Sequence, residues 1–363
     1  MTTIEGSSQL PSGTPTPSVK TIRRAPVARR IVALFRSNEE HAWRWGARVA
    51  SIIPLAALVF AITVLALKAW PAIKVNGIGF LTGTEWKTGS SYGAIVHTDG
   101  VAHPLGVQYG LWPMIVGTLQ TSFIAVVIAL PISVGAAFAL TERMPGWISR
   151  PLGFAIELLA GVPSVLIGLW GVLTLGPLLA THVYPHIAAV MPDVPVLRYF
   201  RGPTGHGLGL LTAGIVLALM IVPIIASTTR DLFLGVPPLP KEGASALGMT
   251  EAEVARRVTL PWVRSGIIGA TVLGLGRALG ETIAVFLITG SILHIAPNVY
   301  SPMSTIAALI LGQLDATGTD GTGFAVATLA EAGLVLAVIS VAVNLAARVI
   351  VNRTGRLMAP VGA

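Results

Sequence analysis

Apolar residues in this chain neither alternate nor recur on one helical face; they come in long blocks separated by short polar stretches. Val49 to Leu67 runs without a charge for 19 residues, just enough to cross a bilayer as a helix. Charge-poor stretches over 113–140, 153–180, 208–229, 266–291 and 323–347 predict five further spans, six in all. Residues 299–314 (YSPMSTIAALILGQLD) are apolar but short, which predicts an interfacial or re-entrant helix and not a seventh span. Between the first two spans, 76–110 carries Gly, Thr, Trp86 and Tyr92, with Trp112 just beyond, the composition of a structured interfacial cap with aromatic anchors. The first 20 residues are rich in Ser, Thr, Pro and Gly and have too little apolar surface to offset their ordering entropy. The expected organisation is a disordered, basic tail over 1–45, a transmembrane domain over 46–350 and a short tail over 351–363.

Composition narrows the class. With 53% hydrophobic and 11% charged residues, the chain cannot solvate a soluble surface, and an all-α polytopic membrane protein is expected. Zero cysteines exclude disulfides, thiolate zinc sites and a catalytic thiol. A cleaved signal would have an apolar core of about 7–15 residues and a small-residue cleavage site, so the first block reads as a retained span. The formal net charge of +8 resolves into topology. Of the 24 Lys and Arg, 18 fall in 1–48, 141–152, 230–265 and 348–363, against 5 in 68–112, 181–207 and 292–322. That asymmetry places both termini and 230–265 in the cytoplasm. The basic stretch 23–48 accordingly reads as orientation and lipid contact, with no nucleic-acid partner.

No Gly-x-x-x-x-Gly-Lys-Ser/Thr occurs, so any ATP dependence must come from a partner. Gly274, Gly276 and Gly280 lie within an apolar block with no preceding soluble strand, and Gly276-x-x-x-Gly280 fits close helix packing better than a nucleotide loop. Loop 230–265 is more distinctive. A proline-rich entry leads to a helix from about Lys241 to Leu247, a stop at Gly248, and a new start at Thr250 with Glu253 three residues on, a capping-box pattern. Two short helices at a turn would form a cytoplasmic knob.

The knob resembles the coupling loop of ABC importer permeases: Glu-Ala-Ala, three residues, Gly, nine residues, Ile-x-Leu-Pro. Here Glu242-Gly243-Ala244 is followed in register by Gly248 and by Val258-Thr259-Leu260-Pro261, with Gly243 for Ala and Val258 for Ile as the departures. Within that family, ELLAGVPSVLIGLWG (157–171), GLGRALGETIAV (274–285) and the outer stretch IGFLTGTEW (78–86) are similar to phosphate-specific (Pst) permeases, most like the PstC type. The resemblance implies a type I importer permease fold and a transport subunit that performs no covalent step. It further implies a second, PstA-like permease chain, two PstB-like ATPases carrying ATP and Mg, and an extracytoplasmic PstS-like phosphate-binding protein. Glu242, Gly243, Ala244, Gly248, Leu260 and Pro261 would then dock the ATPases.

Arg277 falls near the middle of its predicted span, where an isolated charge costs about 2.5–3.5 kcal/mol or more and must face a partner or an aqueous cavity. Glu281, four residues on, would share its helical face. Two readings stay open: an ion pair that joins helices, or an arginine fork that meets an oxyanion while Glu281 tempers the binding. Pro163 and Ser164 either kink a helix for packing or offer a hydroxyl and backbone N–H groups to the anion.

Overall fold

The computed structural model describes residues 26–89, 93–195 and 197–356, with side chains within 45–349. One compact unit ends at Phe60, within the first helix; the second is Ala61–Ala363 and holds every contact discussed below. Apart from two small antiparallel sheets, the described secondary structure is helical. Among the described residues, six helical segments are long and apolar enough to cross a membrane: Trp45–Asn76, Trp112–Arg143, Ser164–Val190, Leu210–Leu234, Glu251–Gly280 and Phe324–Val349.

Helix α1 runs from Pro26 to Asn76, so residues 26–45, assigned above to a disordered tail, have helical backbone continuous with the first span. No proline interrupts that run before Pro54, and Pro26 occupies the first position, where its missing N–H costs nothing. The expected disorder of 1–20 lies outside the described residues, as do 357–363 of the C-terminal tail.

After a single turn, α2 (Gly79–Thr82), strands β1 (Trp86–Lys87) and β4 (Gln108–Tyr109) pair, as do β2 (Ile95–Thr98) and β3 (Val101–Pro104). Pairing brings Trp86 opposite Tyr109, with ring centroids 4.8 Å apart, and Tyr109 in turn lies 6.0 Å from Phe324. Trp86 is thus half-buried against the aromatic side chains of the cap.

Helix α3 (Trp112–Phe138, extended by a π turn over Ala139–Arg143) packs along α8 (Leu210–Leu234). Small residues allow the approach: Ala125 and Ala129 on α3 meet Leu217, Ala218, Ile221 and Ile225 on α8, and a Cβ at Gly214 would lie 2.5 Å from the Ile124 side chain. On α11 (Leu260–Gly280) the packing glycine is Gly274, where a Cβ would lie 2.9 Å from Ile225. Gly280 has nothing within 4 Å, and Gly276 meets only the Asn344 side chain at 3.6 Å. The expected Gly276/Gly280 seam is therefore displaced to Gly274.

Two predicted spans are interrupted. The block read as one span over 153–180 is split into α4 (Gly146–Ala160) and a crossing segment that begins at α5 (Ser164–Trp170) and continues through a π turn, α6 (Gly176–His182) and α7 (Tyr184–Val190). Gly161, with its low helix propensity, and Pro163, whose ring opposes helix at the preceding residue, stop α4. At 15 residues, α4 is about 22 Å long and does not cross. The block over 266–291 breaks at Glu281, whose ψ of 126° is extended, and resumes as α12 (Ile283–Thr289).

Helix α13 (Ile306–Gln313) has eight residues, four of them buried, and its first N–H is capped by the Thr118 hydroxyl of α3 at 3.0 Å. It is a short buried helix among the spans and not a seventh crossing. Asp320 caps the start of α14 (Phe324–Arg356), accepting bonds from the N–H groups of Thr322 and Ala325. Burial raises that carboxyl's pKa, but hydrogen bonds from the Thr322 hydroxyl and the neighbouring N–H groups outweigh it and hold it below its ordinary value.

Candidate functional site: an arginine-lined cavity and a docking knob

Arg277 occupies the last turn of α11, just before the break. Its side chain is exposed, and it lines a cavity of about 1220 Å³ between α11 and α14 together with Ile224, Gly276, Asn344 and Arg348. The remaining walls are apolar, and among the described residues no carboxylate contributes to them. Glu281 does not share a continuous helical face with Arg277, because the helix has ended between them. Among the described residues neither side chain forms an ion pair, and the expected Arg277–Glu281 pair is absent for that geometric reason.

Ser164 and Glu281 are related differently. Helices α5 and α12 pack side by side: a Cβ at Gly168 would lie 2.8 Å from Ala284 Cα, and one at Gly171 2.8 Å from Ile288. Both contacts advance in the same direction along the chain, so the two helices run parallel, with the break before α5 and the break before α12 towards the same end. Irregular backbone inside a span is tolerated where it is buried in protein or lines a cavity, and two such breaks occur here. The Ser164 hydroxyl makes no hydrogen bond among the described residues, and neither Ser164 nor Glu281 belongs to the walls of the Arg277 cavity.

Two further carboxylates near the spans have partners. Glu331, buried in α14, accepts a bond from the Asn76 amide at 2.9 Å, and Glu157 on α4 meets Arg230 of α8 at 3.4 Å. The Arg230 guanidinium lies flat against Gly153, where a Cβ would come within 3.0 Å of it.

The docking knob is formed as its sequence dictates. Helix α9 (Pro238–Ala246) carries Glu242, Gly243 and Ala244; the first two are exposed and Ala244 is buried. Gly248 adopts a left-handed φ of +82°, letting its own N–H reach the Ser245 carbonyl at 2.9 Å and the Met249 N–H reach the Ala244 carbonyl at 3.2 Å. These two bonds complete a Schellman stop. Helix α10 (Glu251–Val254) then opens with the full capping box: Thr250 N–H donates to the Glu253 carboxylate at 3.0 Å, and Glu253 N–H to the Thr250 hydroxyl at 3.4 Å. The second knob helix is not separate, however. It continues through a π turn (Ala255–Thr259) into α11 at Leu260 and Pro261, so the knob and the Arg277 span form one 30-residue element. Pro261 cannot donate to residue 257, and the widened turn absorbs that loss.

Two ion pairs tie the knob to the end of α3. Lys241 pairs with Glu142, both about three-quarters buried, and Arg143 meets Glu251 at 3.5 Å. No local sequence pattern signals this link, since 99 residues separate Lys241 from Glu142. Lys241→Glu is expected to lower transport about tenfold by opposing two carboxylates, and the exchanged pair Lys241→Glu/Glu142→Lys to restore it. Uptake at matched membrane abundance checks this; an exchange variant no better than Lys241→Glu would remove the pair from the coupling route.

Residues 129–356 match the family described as the binding-protein-dependent transport system inner membrane component. The chain belongs to this family of ABC importer permeases. Its six-span helical fold is a permease fold, and it is a multi-pass membrane protein that works with other importer components. The permease is 57% identical over 320 residues to the phosphate transport system permease protein PstC 1 of Mycobacterium tuberculosis, covering 88% of this chain and 95% of that one. It is 38% identical over 311 residues to PstC of Pasteurella multocida, covering 86% and 91%, and 37% identical over 341 residues to PstC of Mesorhizobium japonicum, covering 93% and 95%.

Proposed function

We propose that this permease conducts phosphate inward as the PstC-type subunit of an ATP-driven importer. The observation that carries the reading is Arg277, a guanidinium open to a largely apolar cavity whose walls, among the described residues, carry no carboxylate. A planar two-pronged donor with permanent charge suits a tetrahedral oxyanion, and a site without a neutralising partner has its strongest attraction reserved for the anion. Ser164 and Glu281, at the two helix breaks, complete the path. Glu281 tempers the attraction, since conduction requires binding weak enough to release.

The proposed assembly contains a second, PstA-like permease chain, two PstB-like ATPases holding ATP and Mg, and an extracytoplasmic PstS-like phosphate-binding protein. Glu242, Gly243, Ala244 and Gly248 form the surface offered to an ATPase, while Leu260 and Pro261 join it to α11. ATPase closure would move one rigid element from knob to cavity. Both termini and 230–265 face the cytoplasm, and the β1–β4 cap faces outward.

Radiolabelled phosphate uptake should be competed by unlabelled phosphate and not by sulfate or molybdate. Reversal of that order would assign another oxyanion, and an ATPase that fails to co-purify with the permease would refute the ABC assembly. In intact cells an impermeant thiol reagent should label Ile95→Cys and spare Ser245→Cys in this cysteine-free chain; the opposite pattern would invert the orientation.

A further inference from the structure

The cavity that holds Arg277 holds a second guanidinium. Arg348 lies on α14, and its side chain is exposed to the same space. Among the described residues it forms no ion pair or hydrogen bond. Asn344 precedes it by four residues, so the two share a helical face about 6 Å apart along the axis. Asn344 sits against Gly276, the neighbour of Arg277: a Cβ there would lie 3.6 Å from the Asn344 amide. Consecutive spans cross a membrane in opposite senses, so α11 and α14 run antiparallel and the order towards the basic end is Arg277, Asn344, Arg348. The intervening walls, Val272, Leu273, Val341 and Leu345, are apolar.

We propose that Arg348 and Asn344 form a second oxyanion station on the inner side of Arg277, to which the anion passes before release. The proposal rests on the phosphate-conducting reading above. Three polar groups in a row, two cationic and one a neutral amide, on apolar walls where no described residue is an acid, meet the requirement for conduction through several sites of moderate strength. A single deep arginine would hold a multiply charged anion too firmly. A second within a helical turn or two gives it somewhere to go, and the Asn344 amide can donate hydrogen bonds during transfer. The same chemistry would also suit the phosphate of an anionic lipid headgroup reaching the inner mouth, so the test separates the two sources.

The complete importer is reconstituted with either wild-type permease or Arg348→Gln, in vesicles of phosphatidylcholine alone and of phosphatidylcholine with phosphatidylglycerol. Uptake by Arg348→Gln should fall about tenfold or more in both compositions, with ATPase association unchanged and Arg348→Lys intermediate. A reporter that does not depend on turnover is available, since the permease has no cysteine. Leu345→Cys, on the cavity wall, should be labelled by a methanethiosulfonate more slowly when inorganic phosphate is present, and Arg348→Gln should abolish that protection in phosphatidylcholine. Equal labelling with and without phosphate, together with undiminished uptake by Arg348→Gln, would overturn the station. A defect confined to phosphatidylglycerol vesicles would assign Arg348 to lipid and overturn it equally. Absence of uptake by the wild-type importer would refute the phosphate reading itself, a result distinct from either.

Discussion

Arg277→Gln is expected to reduce phosphate uptake by about 100-fold or more while leaving the protein in the membrane at normal abundance. The magnitude follows from two charge-assisted hydrogen bonds to the anion, each about 1.5–3 kcal/mol, replaced by one neutral amide. Normal abundance follows from the geometry: Arg277 supports no described ion pair, so its removal orphans no carboxylate and relieves the cost of a charge within a span. Arg277→Lys should fall between, keeping charge but losing the planar fork. The discriminating variant is Arg277→Gln/Glu281→Gln. Were the two residues a structural pair, removing both would be tolerated better than orphaning one, and the double would recover uptake. The helix break between them argues for the other outcome, in which the double fails as badly as Arg277→Gln alone. Glu281→Gln by itself should keep the fold and slow release, lowering turnover more than apparent affinity. Radiolabelled uptake at matched abundance decides the matter, and near-normal transport by the double would withdraw Arg277 from the path.

What sequence could and could not reveal divides along the range of the interactions concerned. Long apolar blocks are a composition signal, so the six spans were legible, although a block-averaged reading treated 153–180 and 266–291 as continuous. The break at Glu281 has no local signal stronger than Gly280. It persists because α12 is held against α5 through Gly168 and Gly171, contacts that span more than a hundred residues. Trp86 read as a membrane anchor because an isolated tryptophan between spans usually is one, and only strand pairing with Tyr109 sets it against the aromatic side chains of the cap. The same limit hid Asn344 and Arg348. Arg348 was counted as topology at the end of a span, yet its spacing of four from a lone Asn in an apolar run was a visible hint of one polar face. The knob, by contrast, was legible almost to the residue, since a glycine stop and a capping box are completed within four or five positions of chain.

That local construction makes Gly248 the most informative knob position. Gly248→Asp is expected to leave the permease inserted and abundant, yet to lose ATPase co-purification and transport. Its φ of +82° imposes on any side chain a penalty of about 1–2 kcal/mol, too little to unfold a helical membrane domain. A new Cβ there meets nothing within 4 Å, so the side chain projects outward next to Leu247, which is 82% exposed. The damage is therefore inflicted on whatever covers that face, by added bulk and by a new negative charge. Gly243→Ala provides the contrast. It lies in the interior of α9, also has free space around it, and should be silent or stabilising by about 1 kcal/mol, because alanine favours helix and adds little surface. Gly248→Asn separates charge from backbone strain, since asparagine tolerates the left-handed region and matches aspartate in shape. If strain alone mattered, Asn and Asp would behave alike; an ATPase-facing surface predicts a milder Asn variant. Normal uptake by Gly248→Asp would show that the face is not covered by an ATPase, and the coupling assignment of α9 and α10 would fall with it.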